Sequence, residues 1–249
     1  MQYKLRTPAL LLFVLVMPVF ALMMGQGERR FSPIKDNKDK HLPVVDYDAE
    51  EPGDLKVQAK RRAKASRYDR HSSTIIQDAP GISGRISTTH WHIGLSALPF
   101  AESDTIIIGT VTQAQAHLSN DKTGIYSDFD VKVDQIVKKA DPSLMVGTAL
   151  SAERYGGIVR FRAGSTQKHE VNGQGMPIVG RRYLLFLKRL DRELNFKIVT
   201  GYDVTEQIVS PLDGAEVEEG NQQFPFDKYR GHDVSAFLKL VSVEAAKTT

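Results

Sequence analysis

Two histidines separated by a single residue are the first chemically suggestive spacing in this 249-residue sequence. His90 and His92 stand in "THWHIG", and in an extended segment alternate side chains share a face, so both imidazoles would point the same way. Metal sites use such pairs, and His117, His169 and Glu170 could complete the ligand set after folding. The alternative is that these histidines line a polar loop. The pair supports a metal-dependent enzyme as one hypothesis, and the sequence predicts no cofactor.

Three carboxylates share one face of a predicted strand. In "YSDFDVKVDQIVKK", residues 126–139, apolar and polar side chains alternate, so Asp128, Asp130 and Asp134 lie together with Lys132 among them. Carboxylates at this spacing could bind a hard cation such as calcium. The lysine favours the other interpretation, in which this is the solvent-exposed face of a half-buried strand.

A set of basic residues forms the remaining candidate site. If the strands that carry them are neighbours, they would create a basic patch at one end of a barrel, suited to phosphates or acidic sugars. Ordinary solvent-exposed strand ends would give the same pattern. The candidate ligand-binding residues are Arg160, Arg162, Lys168, Arg181 and Arg182.

Familiar catalytic motifs are missing from the sequence. The chain has no cysteine, which excludes disulfides, thiolate zinc sites and thiol catalysis. "HEVNG" lacks the second histidine of a zinc-protease helix, and no G-x-S-x-G segment occurs. The glycines at 173, 175 and 180 precede a predicted strand rather than a helix, so they form no phosphate loop. No catalytic residue is predicted, and the sequence favours a protein that is not an enzyme without deciding the question.

The first 25 residues predict export from the cytoplasm. Lys4 and Arg6 precede an apolar run over residues 9–24, which is the arrangement of a secretory signal. Residues 19–21 offer small side chains for cleavage, but the run continues past them, so an uncleaved membrane anchor is the second interpretation. In both cases we expect the rest of the chain to be periplasmic, secreted or held at the membrane surface. This location and the net charge of only +3 make a nucleic-acid partner unlikely on chemical grounds.

Residues 26–80 predict a charged linker that is mostly disordered. An acidic block over residues 46–54 is followed by a basic block over residues 56–70, with few apolar side chains to offset the entropy of ordering. Within it, "DLKVQAKRRAKASRY" could form a short helix. The basic block could contact an anionic membrane surface or nucleic acid, and the alternative is a solvated spacer.

Residues 81–249 predict a β domain, with strands over about 103–212 and a helix over about 232–246. Strand patterns follow one another from "TIIIGTVTQAQAHL" onward, separated by turn sequences such as "SNDKTG" and "RAGSTQ". Gly156 and Gly157 interrupt "TALSAERYGGIVRF", which predicts one bent or bulged strand. Phe196, Ile198, Thr200 and Tyr202 alternate in a later strand.

The segment Tyr183–Leu187 is apolar at five consecutive positions, which predicts a central strand covered on both faces. The final helix pattern begins at Asp233, a suitable N-cap, and places Val234, Phe237 and Val241 on one side. We expect this side of the helix to cover the central strand.

The succession "IIIGTV", "FDVKVDQIVKK", a glycine-rich loop and "GRRYLLFLK" resembles the short oligomer-binding (OB) type barrels of netrin-like and related domains. It also resembles uncharacterised exported bacterial proteins with the same order of segments, from about residue 95 to the C-terminus. The resemblance implies a mainly β fold, a small OB-like or netrin-like barrel with a C-terminal helix. Netrin-like metalloproteinase inhibitors act through a cysteine-anchored N-terminus, so that activity does not carry over to a cysteine-free chain.

Three functions fit these observations. The leading hypothesis is a non-enzymatic protein-interaction module that binds an unknown protein partner outside the cytoplasm. The second is binding of an anionic ligand, glycan or nucleic acid, at the basic strand ends. The third is a metal-dependent enzyme that uses His90 and His92.

Overall fold

A computed structural model describes residues 40–70, 84–88, 94–191, 193–214 and 225–248, with the backbone alone for residues 85–88 and 248. The elements in chain order are β1 (Val44–Asp46), α1 (Leu55–Ala65), β2 (Gly84–Thr88), β3 (Thr105–Leu118), β4 (Ile125–Lys138), β5 (Ala149–Tyr155), β6 (Gly157–Arg160), β7 (Thr166–Val171), β8 (Arg182–Arg189), β9 (Asn195–Asp203), β10 (Ser210–Pro211) and α2 (Val234–Thr248). Short 3-10 turns lie at Ser66–Tyr68 and Pro225–Tyr229.

Five strands close a barrel in the order β3, β4, β5, β9, β8 and back to β3. Neighbouring strands are antiparallel except for β5 and β9, which are parallel. If the five barrel strands are numbered in chain order, the first (β3) pairs with the second (β4) and the fourth (β8). The third (β5) pairs with the fifth (β9). This is the Greek-key order of an OB-type barrel. The predicted fold class, a mainly β, OB-like barrel with a C-terminal helix, is confirmed.

The barrel interior is filled by the apolar residues of the alternating strands. Phe129, Val131 and Val133 of β4 are fully buried inside, as their alternation predicts. Phe196 and Ile198 of β9 join them. Each such side chain contributes on the order of 1.5–3 kcal/mol from burial, before the entropy of ordering is subtracted.

The central strand β8 is covered on both faces. Tyr183, Leu185 and Leu187 point into the barrel, whereas Leu184 and Phe186 belong to a second apolar cluster outside it. That outer cluster contains the residues of α2 that repeat at helical spacing, Phe237, Val241 and Ala245. The predictions of a doubly covered strand and of a covering helix are both confirmed.

Helix α2 begins where the sequence predicts. The Asp233 carboxylate accepts a hydrogen bond from the backbone N–H of Ala236 at 2.9 Å, which is N-cap geometry. Tyr202 packs against Phe237 with ring centroids 4.9 Å apart. The sequence pattern places Tyr202 on the same face of β9 as Phe196 and Ile198, and this is wrong. An extra residue near Val199 shifts the register and turns Tyr202 out of the barrel.

A second sheet has the strand order β1, β6, β7, β2 among the described residues. Gly156 and Gly157 adopt φ values of +109° and +143°, and they separate β5 from β6. The sequence predicts one bent strand here, and this is wrong: the two glycines turn the chain so sharply that β6 leaves the barrel and joins the second sheet.

The predicted disorder of the charged linker is wrong for residues 40–70. β1 pairs in parallel with β6, and α1 and the following turn pack on the barrel, with Tyr68 buried. Few apolar side chains of this segment are buried, but its basic side chains bind carboxylates of the barrel, and the barrel covers Tyr68.

The described helices include none that is long and apolar enough to cross a membrane. The predicted signal or anchor, residues 1–25 with its apolar run 9–24, lies outside the described residues.

Candidate binding face

The outer face of β4 and β5 carries a cluster that we call the acidic face, defined by Tyr126, Asp128, Ser151, Glu153 and Tyr155. These residues point outward because their neighbours along each strand fill the barrel. The register places Asp128 directly opposite Glu153, and Tyr126 opposite Tyr155. Two like charges directly opposite each other destabilise a sheet unless cations cover them.

Helix α1 and the turn after it supply those cations. Lys60, Lys64 and Arg67 follow the spacing i, i+4, i+7, which places them on one side of a helix. Each binds a different carboxylate of the barrel. The N–O distances are 2.8 Å from Lys60 to Glu193, 3.2 Å from Lys64 to Asp128 and 2.6 Å from Arg67 to Glu153.

Glu153 is the most buried carboxylate of the acidic face, with 2% of its side chain exposed. The Arg67 guanidinium donates from Nε at 2.9 Å and from Nη2 at 2.6 Å, one bond to each carboxylate oxygen. The Tyr68 hydroxyl donates a third bond to Oε1 at 2.9 Å. A buried carboxylate is tolerated only when its lone pairs are satisfied, and these charge-assisted bonds do so.

Asp128 lies in a second, less enclosed group. Both of its carboxylate oxygens accept from Lys64 Nζ at 3.2 Å, and that ammonium also donates to Ser151 Oγ at 3.0 Å. His117 Nε2 is 3.5 Å from Asp128 Oδ2. Burial raises the pKa of Asp128 above its usual value, although Lys64 acts in the opposite direction. Burial, together with the charges of Arg61 and Lys64, lowers the pKa of His117 to about 4.

Stacked aromatic rings complete the contact. Tyr68 lies on Tyr126 with ring centroids 4.6 Å apart and planes only 6° from parallel, and Tyr155 is a further neighbour at 6.4 Å. The Tyr126 hydroxyl is buried and has no hydrogen-bond partner among the residues that the structure describes. Burial raises the pKa of Tyr68 and Tyr126, so both phenols stay protonated.

The end of α1 is also attached to the turn between β3 and β4. Asn120 Nδ2 donates to the backbone carbonyl of Arg62 at 3.0 Å, and Asp121 accepts from the backbone N–H of Arg70 at 2.8 Å. The basic helix therefore contacts the outer face of two strands and the two turns at residues 119–124 and 190–194. Its partners are almost all acidic or polar.

A different charged group is buried where the glycine-rich loop meets strands β5 and β9. Arg154 and Asp213 are both essentially inaccessible to solvent and form two N–O contacts of 2.8 and 2.7 Å. Asp213 also accepts from Thr200 Oγ1 at 2.7 Å and from Gly175 N at 2.9 Å, and Arg154 donates to the Gly175 carbonyl. This network ties the glycine-rich loop to the barrel, so we interpret it as structural.

The predicted basic patch is divided between two sheets. Arg160 lies on β6 and Lys168 on the neighbouring β7, whereas Arg181 and Arg182 lie at the start of β8 in the barrel. Each predicted ligand-binding residue has a carboxylate partner: Arg160 with Asp46, Arg162 with Asp48, Lys168 with Glu170, Arg181 with Asp203 and Arg182 with Asp134. The structure therefore does not bring the five cations together, and their pairing lowers the positive charge offered to an anion.

The predicted metal ligands His90 and His92 lie outside the described residues. His117 faces Asp128, whereas His169 is buried on β7, where its Nδ1 lies 3.5 Å from the Tyr155 hydroxyl. Within the part of the chain that the structure describes, no three or more His, Asp or Glu side chains are grouped to hold a metal ion. The carboxylates Asp128 and Asp134 each pair with a cationic side chain, Lys64 and Arg182 respectively.

Sequence reasoning missed the acidic face because it treated Asp128 as solvent-exposed and did not consider Glu153. One signal was available. Tyr68 is the only aromatic residue in the basic block, and it follows directly after Arg67. An aromatic residue beside a regularly spaced set of cations indicates a docking surface more than a spacer.

Comparison with known proteins gives no relative: no protein-family model matches the chain, and no curated protein matches it.

Proposed function

We propose that this protein is a non-enzymatic interaction module that binds a polypeptide partner outside the cytoplasm. The observation that carries the proposal is the acidic face, where the barrel holds a basic helix through two carboxylates and a pair of stacked tyrosines. A surface that binds one polypeptide segment in this way has the chemistry to bind another.

The position of the acidic face supports the same proposal. In OB-type barrels, ligands bind on the outer face of the second and third strands, together with the turns between strands one and two and between strands four and five. Here these elements are β4, β5 and the turns at residues 119–124 and 190–194. The contacts of α1 fall on all of them, through Lys64, Asn120 and Lys60. Nucleic-acid ligands of such barrels need cations, whereas this face presents carboxylates.

The anionic-ligand hypothesis has weaker support, because each of its five predicted residues is already paired with a carboxylate. Export or anchoring through residues 9–24 remains part of the proposal and rests on the sequence pattern alone. If the chain is exported or anchored in this way, its partner should be sought outside the cytoplasm.

Site-specific photo-crosslinking in the native host tests the proposal. Ala149 is exposed on β5 and faces the same side as Ser151 and Glu153, beyond the end of the α1 contact. A photoreactive residue at Ala149 should give a discrete protein adduct in the exported fraction, and one at the exposed Ser242 of α2 should not. Equal labelling at both positions, or adducts removed by nuclease or glycosidase and not by protease, would refute a polypeptide partner.

A further inference from the structure

The attachment of α1 to the barrel is largely polar, and its apolar part is confined to Ala65 and the following Tyr68. Ala65 is the one buried residue of the helix, whereas Leu55 and Val57 are exposed by 79% and 51%. The other described contacts of this segment are the three ion pairs of Lys60, Lys64 and Arg67, the ring and hydroxyl of Tyr68, and hydrogen bonds with the turn at residues 119–124. Of the three ion pairs, Lys60–Glu193 is the mostly exposed one, so salt screens it most. The attachment therefore consists mainly of ion pairs and hydrogen bonds, which another basic segment could also form.

Removal of α1 would leave an unbalanced surface on the barrel. Asp128 and Glu153 would face each other across the β4–β5 ladder without their cations, and Tyr126 would lose the ring stacked on it. Repulsion between the two carboxylates and an uncovered aromatic ring both favour a replacement that carries cations and an aromatic side chain.

We infer that the acidic face is a binding site for a basic helical segment of the partner, and that α1 occupies it as an intramolecular competitor. The inference rests on the proposed function and adds the chemistry of the partner. The segment that fits has Lys or Arg at positions i, i+4 and i+7 and an aromatic residue at i+8, the pattern of Lys60, Lys64, Arg67 and Tyr68. Its binding requires that α1 leave, so the partner meets a site that is closed at rest.

The test uses the full-length chain and a fluorescent synthetic peptide with the sequence of residues 54–70. The double variant Lys64→Ala/Arg67→Ala weakens the internal competitor, so fluorescence anisotropy should show the peptide binding at least about tenfold more tightly to it than to the wild type. Adding Glu153→Gln should abolish that gain. The control variant Lys239→Ala/Lys247→Ala removes two exposed cations of α2 and should behave as the wild type. Equal affinity of the wild type and the Lys64→Ala/Arg67→Ala variant overturns the inference.

A second arm keeps every native contact of Lys64 and Arg67. The chain has no cysteine, so Lys60→Cys/Glu193→Cys provides the only two thiols, at an exposed ion pair. Joining them with a short bifunctional maleimide locks α1 on the barrel and should remove the peptide binding that the same double-cysteine protein shows before crosslinking. Undiminished binding by the locked protein places the peptide elsewhere and overturns the inference. So does a crosslink that joins two chains, because α1 would then occupy the face of a second copy.

The two proposals fail differently. If the locked and unlocked proteins bind the peptide equally but Ala149 still crosslinks to a protein in cells, the interaction module stands and the competition by α1 is refuted. If the peptide results are as expected but no protein adduct forms at Ala149, the acidic face binds basic helices and the native partner proposal fails.

Discussion

The contact between Arg67 and Glu153 can be measured by a double-mutant cycle. Arg67→Ala removes two charge-assisted hydrogen bonds from a carboxylate that is 2% exposed and leaves only the Tyr68 hydroxyl. Hydrogen bonds to charged groups contribute about 1.5–3 kcal/mol each. Because 31% of the Arg67 side chain is exposed, solvent screens the pair, and we expect a total loss of about 2–3 kcal/mol.

The assay is hydrogen–deuterium exchange of the α1 amides, which open when the helix leaves the barrel. A loss of about 2–3 kcal/mol corresponds to roughly 30- to 140-fold faster exchange. Glu153→Gln keeps the side-chain shape and removes the charge, so it should have a similar effect, and the two changes together should be clearly less than additive. A coupling energy of about 1–3 kcal/mol is expected for groups in direct contact.

Arg62→Ala is the matched control on the same helix. Arg62 binds Glu51 at 2.7 Å, and about half or more of each side chain is exposed, so its loss should cost about 0–1 kcal/mol. The backbone carbonyl of Arg62 that accepts from Asn120 remains in this variant. If Arg67→Ala accelerates exchange no more than Arg62→Ala, the buried contact does not hold α1 and the reasoning about the acidic face is refuted.

Three further changes should affect stability in defined ways. Arg154→Met leaves the Asp213 carboxylate buried without its cation and should cost about 3–5 kcal/mol in urea unfolding. Gly175→Ala should cost about 1–3 kcal/mol, because a Cβ there would overlap the backbone carbonyl oxygen of Leu212. The folded-state pKa of His117 is about 4, below the usual unfolded value of about 6.5. Between these values the unfolded chain binds a proton that the folded chain does not, so stability should fall from pH 6.5 to pH 4, less steeply in His117→Asn.

Two of these changes have a control with the opposite expectation. Arg160→Met breaks a mostly exposed pair with Asp46 and should cost about 0–1 kcal/mol, so an equal loss in Arg154→Met would contradict the role of the buried pair. Gly53→Ala meets no atom within 4 Å and should leave stability nearly unchanged. For His117 the comparison is with the wild type: an equal fall in stability from pH 6.5 to pH 4 in the wild type and in His117→Asn would contradict the assignment to His117.

The barrel could be predicted from the sequence because its signals are local. Alternation in β4 determined which residues fill the interior, and five consecutive apolar residues in β8 required cover on both faces. The N-cap at Asp233 and the apolar spacing after it located the helix that provides the cover. Each of these properties depends on neighbours within one or two turns or strand repeats.

The acidic face could not be predicted in the same way. Glu153 looks like any polar residue in its strand until the register places it opposite Asp128 and α1 covers both. Arg154 is adjacent to it in sequence and points to the opposite face of the strand, where the buried Asp213 binds it from 59 residues away. Sequence spacing carries no information about which distant charge will neutralise a buried one.

The sequence by itself determined that this is a mainly β protein with a barrel, a covering helix and a charged segment before it, because hydrophobic periodicity and turn residues act locally. Only the tertiary structure decided what the charged segment does. Burial of Glu153 is tolerable only with Arg67 and Tyr68 bound to it, and those partners come from 85 and 86 residues earlier in the chain. The low local dielectric at that contact raises the energetic cost of leaving Glu153 unpaired. This low-dielectric environment exists only after the chain has folded.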